Sequence, residues 1–145
     1  MVAKSCDFII PIILKVAGGN STALVYNCPK KCRDKIAKQY LKEVEQVGFI
    51  FNKKNIPCLE MIGGELCINA TIAFVSQLSK KGKLFTSGIR ELIKYENNKG
   101  KTTIEIPLKY KKQNNIVLFK GIGFICINKN KKKEITKKFL KKLSI

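Results

Sequence analysis

"GGELCINATIAFVSQL", Gly63 to Leu78, is the stretch on which the fold turns. From Asn69 to Leu78 it carries Ala70, Ile72, Ala73, Phe74, Val75 and Leu78, with no charge until Lys80. A helix without a polar face is a buried helix, so the spacing predicts a central helix that other elements must cover. Cys67 then falls at or just before its first turn. Unpaired backbone N–H groups and the positive end of the helix dipole gather there, and both favour an anion. Gly63 and Gly64 permit a tight turn and a close approach of ligand to backbone, while Asn69 can cap the helix or bond a ligand.

Outward from this helix, short β-branched and aromatic runs alternate with turn residues. On the amino-terminal side, "FIIPIIL" (Phe8 to Leu14) reads as a buried first strand, with a signal peptide as the competing reading of a short apolar run after Lys4. "AGGN" turns the chain into a second strand, "STALVYN" (Ser21 to Asn27). Ile36, Ala37, Tyr40, Leu41, Val44 and Val47 recur at helical spacing and predict a helix from Cys32 to Val47, with Gly48 as its stop. "GFIFN" and "IPCLEMI" follow as strands.

Past Gly82, "KLFTSG", "IRELIKYE", "TTIEIPL" and "NIVLFKGIGFICI" read as a meander, separated by "NNKGK" and "KKQNN" turns. The last segment, from about residue 129, reads as a basic amphipathic helix. The sum is a single α+β domain over residues 1–145, a curved, mostly antiparallel sheet wrapped around a central buried helix; its 145 residues, 45% hydrophobic, suffice for one core.

The formal charge of +19 raises nucleic-acid binding. Yet Arg33 and Arg90 are the only arginines among 29 basic residues, and arginine is the residue suited to bidentate phosphate and guanine contacts. A solvated lysine surface is the preferred reading, and no nucleic-acid partner is expected. Six cysteines without histidine allow disulfides, metal or free thiols. "CPKKC" (Cys28, Cys32) is the one close pair, with no second pair to complete a zinc site, so no metal is expected. No run is long enough to span a membrane, and free thiols in a reducing cytoplasm are the default.

"EMIGGELCINAT" resembles the first cysteine motif of the pyridoxal-phosphate-independent amino-acid racemase and epimerase superfamily, whose best-known member is diaminopimelate epimerase. "GGNSTALV" (Gly18 to Val25), "EQVGFI" (Glu45 to Ile50) and "GIGFICI" (Gly121 to Ile127) resemble further segments of that family in the same order. The resemblance implies a diaminopimelate epimerase-like half-fold with Cys67 as a catalytic acid/base. It implies that Asn69, with the backbone at Ile68 and Gly64, contacts the amino-acid head of the substrate, and that Asn20 and Gln46 line the pocket. Asn20 also reads as a plain turn residue, and Gln46 as a solvated helix end.

In such a mechanism a thiolate on one face removes the α-proton and a thiol on the other returns one, without a cofactor. Family members join two similar halves, whereas this chain matches only the first. The resemblance therefore implies a partner, either a second-half chain or a second copy of this one. Ile68 stands where the family usually has glycine, Ile72 where many members have arginine and Phe124 where many have histidine. A noncatalytic amino-acid-binding or assembly subunit is the alternative these departures support, with nucleic-acid binding third.

Overall fold

The computed structural model describes Cys6 and residues 9–16, 20–119 and 122–125. The chain forms two compact units, Met1–Pro107 and Leu108–Ile145. The first holds β1 (Ile12–Lys15), β2 (Ser21–Tyr26), α1 (Lys30–Tyr40), β3 (Gln46–Lys53), β4 (Ile56–Met61), α2 (Ile68–Val75), β5 (Lys81–Thr86), β6 (Ile93–Asn98) and β7 (Lys101–Glu105). The second holds β8 (Lys111–Gln113), β9 (Ile116–Phe119) and β10 (Ile122–Ile125), a three-stranded antiparallel sheet. The helix expected from about residue 129 lies outside the described residues.

In the first unit the spatial order of the strands is their chain order, β1 to β7. Connection length decides the direction of each pairing. Two-residue turns join β3 to β4 and β6 to β7, with positive φ at Lys54 and Asn55 and at Lys99 and Gly100, the backbone that a tight antiparallel hairpin demands. Where a helix intervenes the next strand returns parallel: β2 pairs with β3 across α1, and β4 with β5 across α2. The sheet is curled and mixed, and it is mostly antiparallel as expected, with four of its six pairings antiparallel. Its curl is evident in α2, a short helix that touches β2, β3, β6 and β7 alike.

Two apolar cores result, one on each face of the sheet. Leu24, Ile50, Leu59, Met61, Leu84 and Ile93 close over Ala70, Phe74 and Val75 of α2. Ala23, Val25, Val47 and Phe49 pack with Cys32, Ile36 and Ala37 of α1. Because β2 and β3 are covered on both faces, "TALV" and "VGFI" are apolar without alternation.

Four expectations need correction. The first helix ends at Tyr40, not Val47: Val47 pairs with Ala23 in the sheet, and Gly48 lies inside β3. A Cβ at Gly48 would come within 2.5 Å of Leu59 Cδ1, so its glycine serves packing rather than helix termination. The first strand is an exposed edge rather than a buried one, with Ile12 43% and Ile13 46% exposed, because β1 has only β2 beside it. "KKQ" is strand β8, and only Asn114–Asn115 form the turn after it. Finally, Cys6 and Cys32 form a disulfide, leaving Cys28, Cys58 and Cys67 as the free thiols among the described residues. With that pair joined, free thiols no longer speak for a reducing compartment. Among the described residues no helix is long and apolar enough to cross a membrane.

Candidate functional site

The register gathers one set of loops at one end of the seven-stranded sheet. β2 and β3 begin there side by side, β4 ends there with Met61 opposite Gly48, and β5, parallel to β4, ends there at Thr86. Asn20, Gln46, Gly64, Cys67, Ile68 and Asn69 all belong to this end through the strands and loops that carry them.

Cys67 is the N-cap of α2, with an extended backbone (φ −116°, ψ 107°). Its Sγ accepts a hydrogen bond from the Ala70 amide at 3.4 Å. Its carbonyl accepts two more, from the Thr71 amide at 3.0 Å and the Thr71 hydroxyl at 2.7 Å. The Thr71 hydroxyl, fully buried, thereby fixes the residue that carries the thiol. Cys67 is half-buried, and its sulfur is anchored by the Ala70 amide. The amides of Ile68 and Asn69, in the first turn, have no carbonyl one turn back to receive them. Thiol and amides together can hold an anion and exchange a proton beside it.

The loop before Cys67 is built as tightly. The Gly64 amide donates to Met61 O at 2.9 Å, and Gly64 takes φ 73°, a conformation open to glycine. Ser87, just beyond β5, clamps this loop: its hydroxyl donates to Glu65 O at 2.6 Å and accepts from the Met61 amide at 3.0 Å. Gly88 (φ 82°) lies so close to the Glu65–Leu66 backbone that any Cβ would collide with it. Neither Ser87 nor Gly88 was singled out from sequence. Their signal is a Ser-Gly pair directly after a strand, legible only once β5 is known to lie parallel to β4.

The other expected site residues fare unequally. Asn20 is the hairpin turn, its carbonyl accepting from the Val16 amide at 3.1 Å. Gln46 opens β3 rather than ending a helix, and its Oε1 accepts from the buried Thr22 hydroxyl at 3.0 Å. Ile68 is 39% exposed beside the thiol. Asn69 is half-buried and does not cap α2, because Cys67 occupies that position. Among the described residues no hydrogen bond joins Asn20 or Gln46 to Cys67. Phe124 belongs to the second unit.

The remaining free thiols differ in kind from Cys67. Cys28 and Cys58 are 8% and 3% exposed, and burial pushes both thiols up from the ordinary range; the neighbouring charges of Arg33 and Lys53 offset this only in part. Among the described residues no group of three or more acidic, cysteine or histidine side chains is arranged to hold a metal ion. No protein-family model and no curated protein sequence matches the chain.

Proposed function

We propose that this chain is one half of a cofactor-independent amino-acid racemase or epimerase, with Cys67 transferring the α-proton at one face of the substrate. The observation that carries the reading is the thiol at the N-cap of α2. Serine, threonine, aspartate and asparagine are the residues that stabilise this position, and sulfur is a weak acceptor. A cysteine here sacrifices capping strength, which is sensible if the sulfur is needed for chemistry.

In this scheme the substrate carboxylate sits against the first-turn amides of Ile68 and Asn69, whose partial positive charge also stabilises the carbanion as it forms. Cys67 removes the α-proton as thiolate, or delivers one as thiol, according to the direction of the reaction. The opposite face needs a second acid. Among the described residues the other free thiols, Cys28 and Cys58, are buried, and in this scheme the partner supplies it, either a second-half chain or a second copy related by a twofold axis.

The test is exchange of the substrate α-proton with deuterated water in the completed assembly. Cys67→Ala and Cys67→Ser abolish exchange in this scheme, and full exchange in the alanine variant would sink it. Sedimentation of native material checks the partner: a stable monomer with no co-purifying chain contradicts both forms of assembly. A second reading, a noncatalytic amino-acid-binding subunit, is favoured by the exposed Ile68 side chain where the family carries glycine. Saturable amino-acid binding without α-proton exchange in wild-type assembly distinguishes it.

A further inference from the structure

A groove of ≈ 640 Å³ runs between α1 and the carboxyl ends of β4 and β5, and Cys67 is not among the residues that line it. Its apolar surface includes Phe51, Cys58 and Phe85. Lys30, Arg33 and Lys53 line it as well, against Glu60 as the one acidic side chain, so positive charge is in excess. An apolar groove with a few converging polar groups is the usual form of a small-molecule site.

Arg33 is the centre of this arrangement. Its Nη1 donates to Glu60 Oε2 at 2.6 Å, and its guanidinium lies 4.9 Å from the Phe49 ring centre and 5.5 Å from that of Phe51. The guanidinium is therefore held by an ion pair and by two rings on one face of β3. Its Nε, however, is buried and has no hydrogen-bond partner among the described residues. With Nη1 committed to Glu60, the Nε–Nη2 edge is the one left for a bidentate contact with an oxyanion.

Leaving a buried polar atom unpaired is costly, so this edge of Arg33 calls for an acceptor in a groove where positive charge is in excess.

We infer that this groove binds a small organic anion, its carboxylate or phosphate received by the free edge of Arg33, and its aromatic or aliphatic body laid on Phe51 and Phe85. Lys30 and Lys53, both exposed, draw the anion in and steady it at the rim. Glu60 fixes the guanidinium and repels ligands carrying a second acidic group near it. The site shares the Gly64 and Ser87 loops with the Cys67 end of the sheet, yet its recognition chemistry is its own and requires neither Cys67 nor a partner half.

Phenyl phosphate, phenylacetate and inorganic phosphate serve as probes, followed by the Arg33 Nε–H and Thr86 amide resonances in nitrogen–proton correlation spectra and by calorimetry. Saturable shifts of both resonances with phenyl phosphate or phenylacetate are expected, with inorganic phosphate weaker for want of an apolar body. Whichever of the two aryl probes binds more tightly identifies the oxyanion. The exposed double variant Lys30→Gln/Lys53→Gln weakens that probe by about tenfold, the order expected for a charge-assisted bond. The inference is overturned if neither aryl probe shifts Arg33 Nε–H, if inorganic phosphate binds as tightly as both, or if the folded double variant binds as wild type does.

Discussion

Replacing Cys67 by serine and by alanine separates what the residue does for the fold from what it does for chemistry. The wild-type cap is a single bond from the Ala70 amide to sulfur at 3.4 Å, and a weak acceptor at that length places it near the low end of capping energies, about 0.5 kcal/mol. A serine hydroxyl is a stronger acceptor for the same amide, whereas alanine offers none. Serine should therefore exceed alanine by about 1 kcal/mol, with wild type between them. For a unit of this size that gap corresponds to about 4 °C in melting temperature. Urea unfolding at neutral pH, with an unchanged slope in all three proteins, reads the difference directly. Alanine as stable as serine would refute the reasoning, because the Ala70 amide would then have no need of a cap. The informative combination is a serine variant at least as stable as wild type that has lost α-proton exchange.

Reducing the Cys6–Cys32 bridge, which spans 26 positions, should cost about 3.5 kcal/mol by loop entropy; a urea midpoint unchanged by reductant, or equal in Cys6→Ala, contradicts the pairing. Asn97 is a clamp on the end of α2, its Nδ2 donating to Val75 O at 2.7 Å, Ser79 O at 3.1 Å and Leu78 O at 3.3 Å. Asn97→Ala removes these bonds, though Val75 O keeps the Leu78 amide, and should cost about 1–2 kcal/mol, measured by the same unfolding assay, with a loss below 0.5 kcal/mol, on the order of an ordinary surface change, refuting it. Burial raises the Cys28 and Cys58 thiols above their unfolded values, so the stability they contribute is complete below the ordinary thiol range and declines as pH rises through the folded values. The alkaline fall in urea midpoint should shrink in Cys28→Ala/Cys58→Ala, and iodoacetamide at pH of about 8 should modify Cys67 before either buried thiol.

The apolar face-to-face character of "NATIAFVSQL" was enough to mark α2 as a buried helix, and the thiol at its start followed from the same spacing. The glycine of "NNKGK" made the β6–β7 turn legible in outline, and Gly100 there takes the positive φ of a tight hairpin. Other features escaped for physical reasons. Val44 and Val47 continue the helical spacing of α1 by coincidence, and only pairing with β2 converts Val47 into a strand residue. Nothing local distinguishes an edge strand from a central one, so β1 read as buried. The Ser87 clamp joins loops 22 positions apart, and Arg33 meets Glu60 across 27; such contacts exist only after the sheet has set its register. The Cys6–Cys32 bridge is likewise a product of topology, because "CPKKC" draws attention to a pair that does not form.

That the strands of the first unit are ordered in space as they are in the chain bears on how the protein is made. Each strand emerging from the ribosome finds its neighbour already present, so the sheet can grow by addition without waiting for a distant segment. The same order leaves an open edge at every stage, since each newly laid strand exposes its outer row of amides and carbonyls until the next arrives. Growth comes to rest with β1 and β7 at the margins, and the exposed Ile10, Ile12 and Ile13 make the β1 margin the first place where a crowded nascent chain would recruit a neighbouring strand.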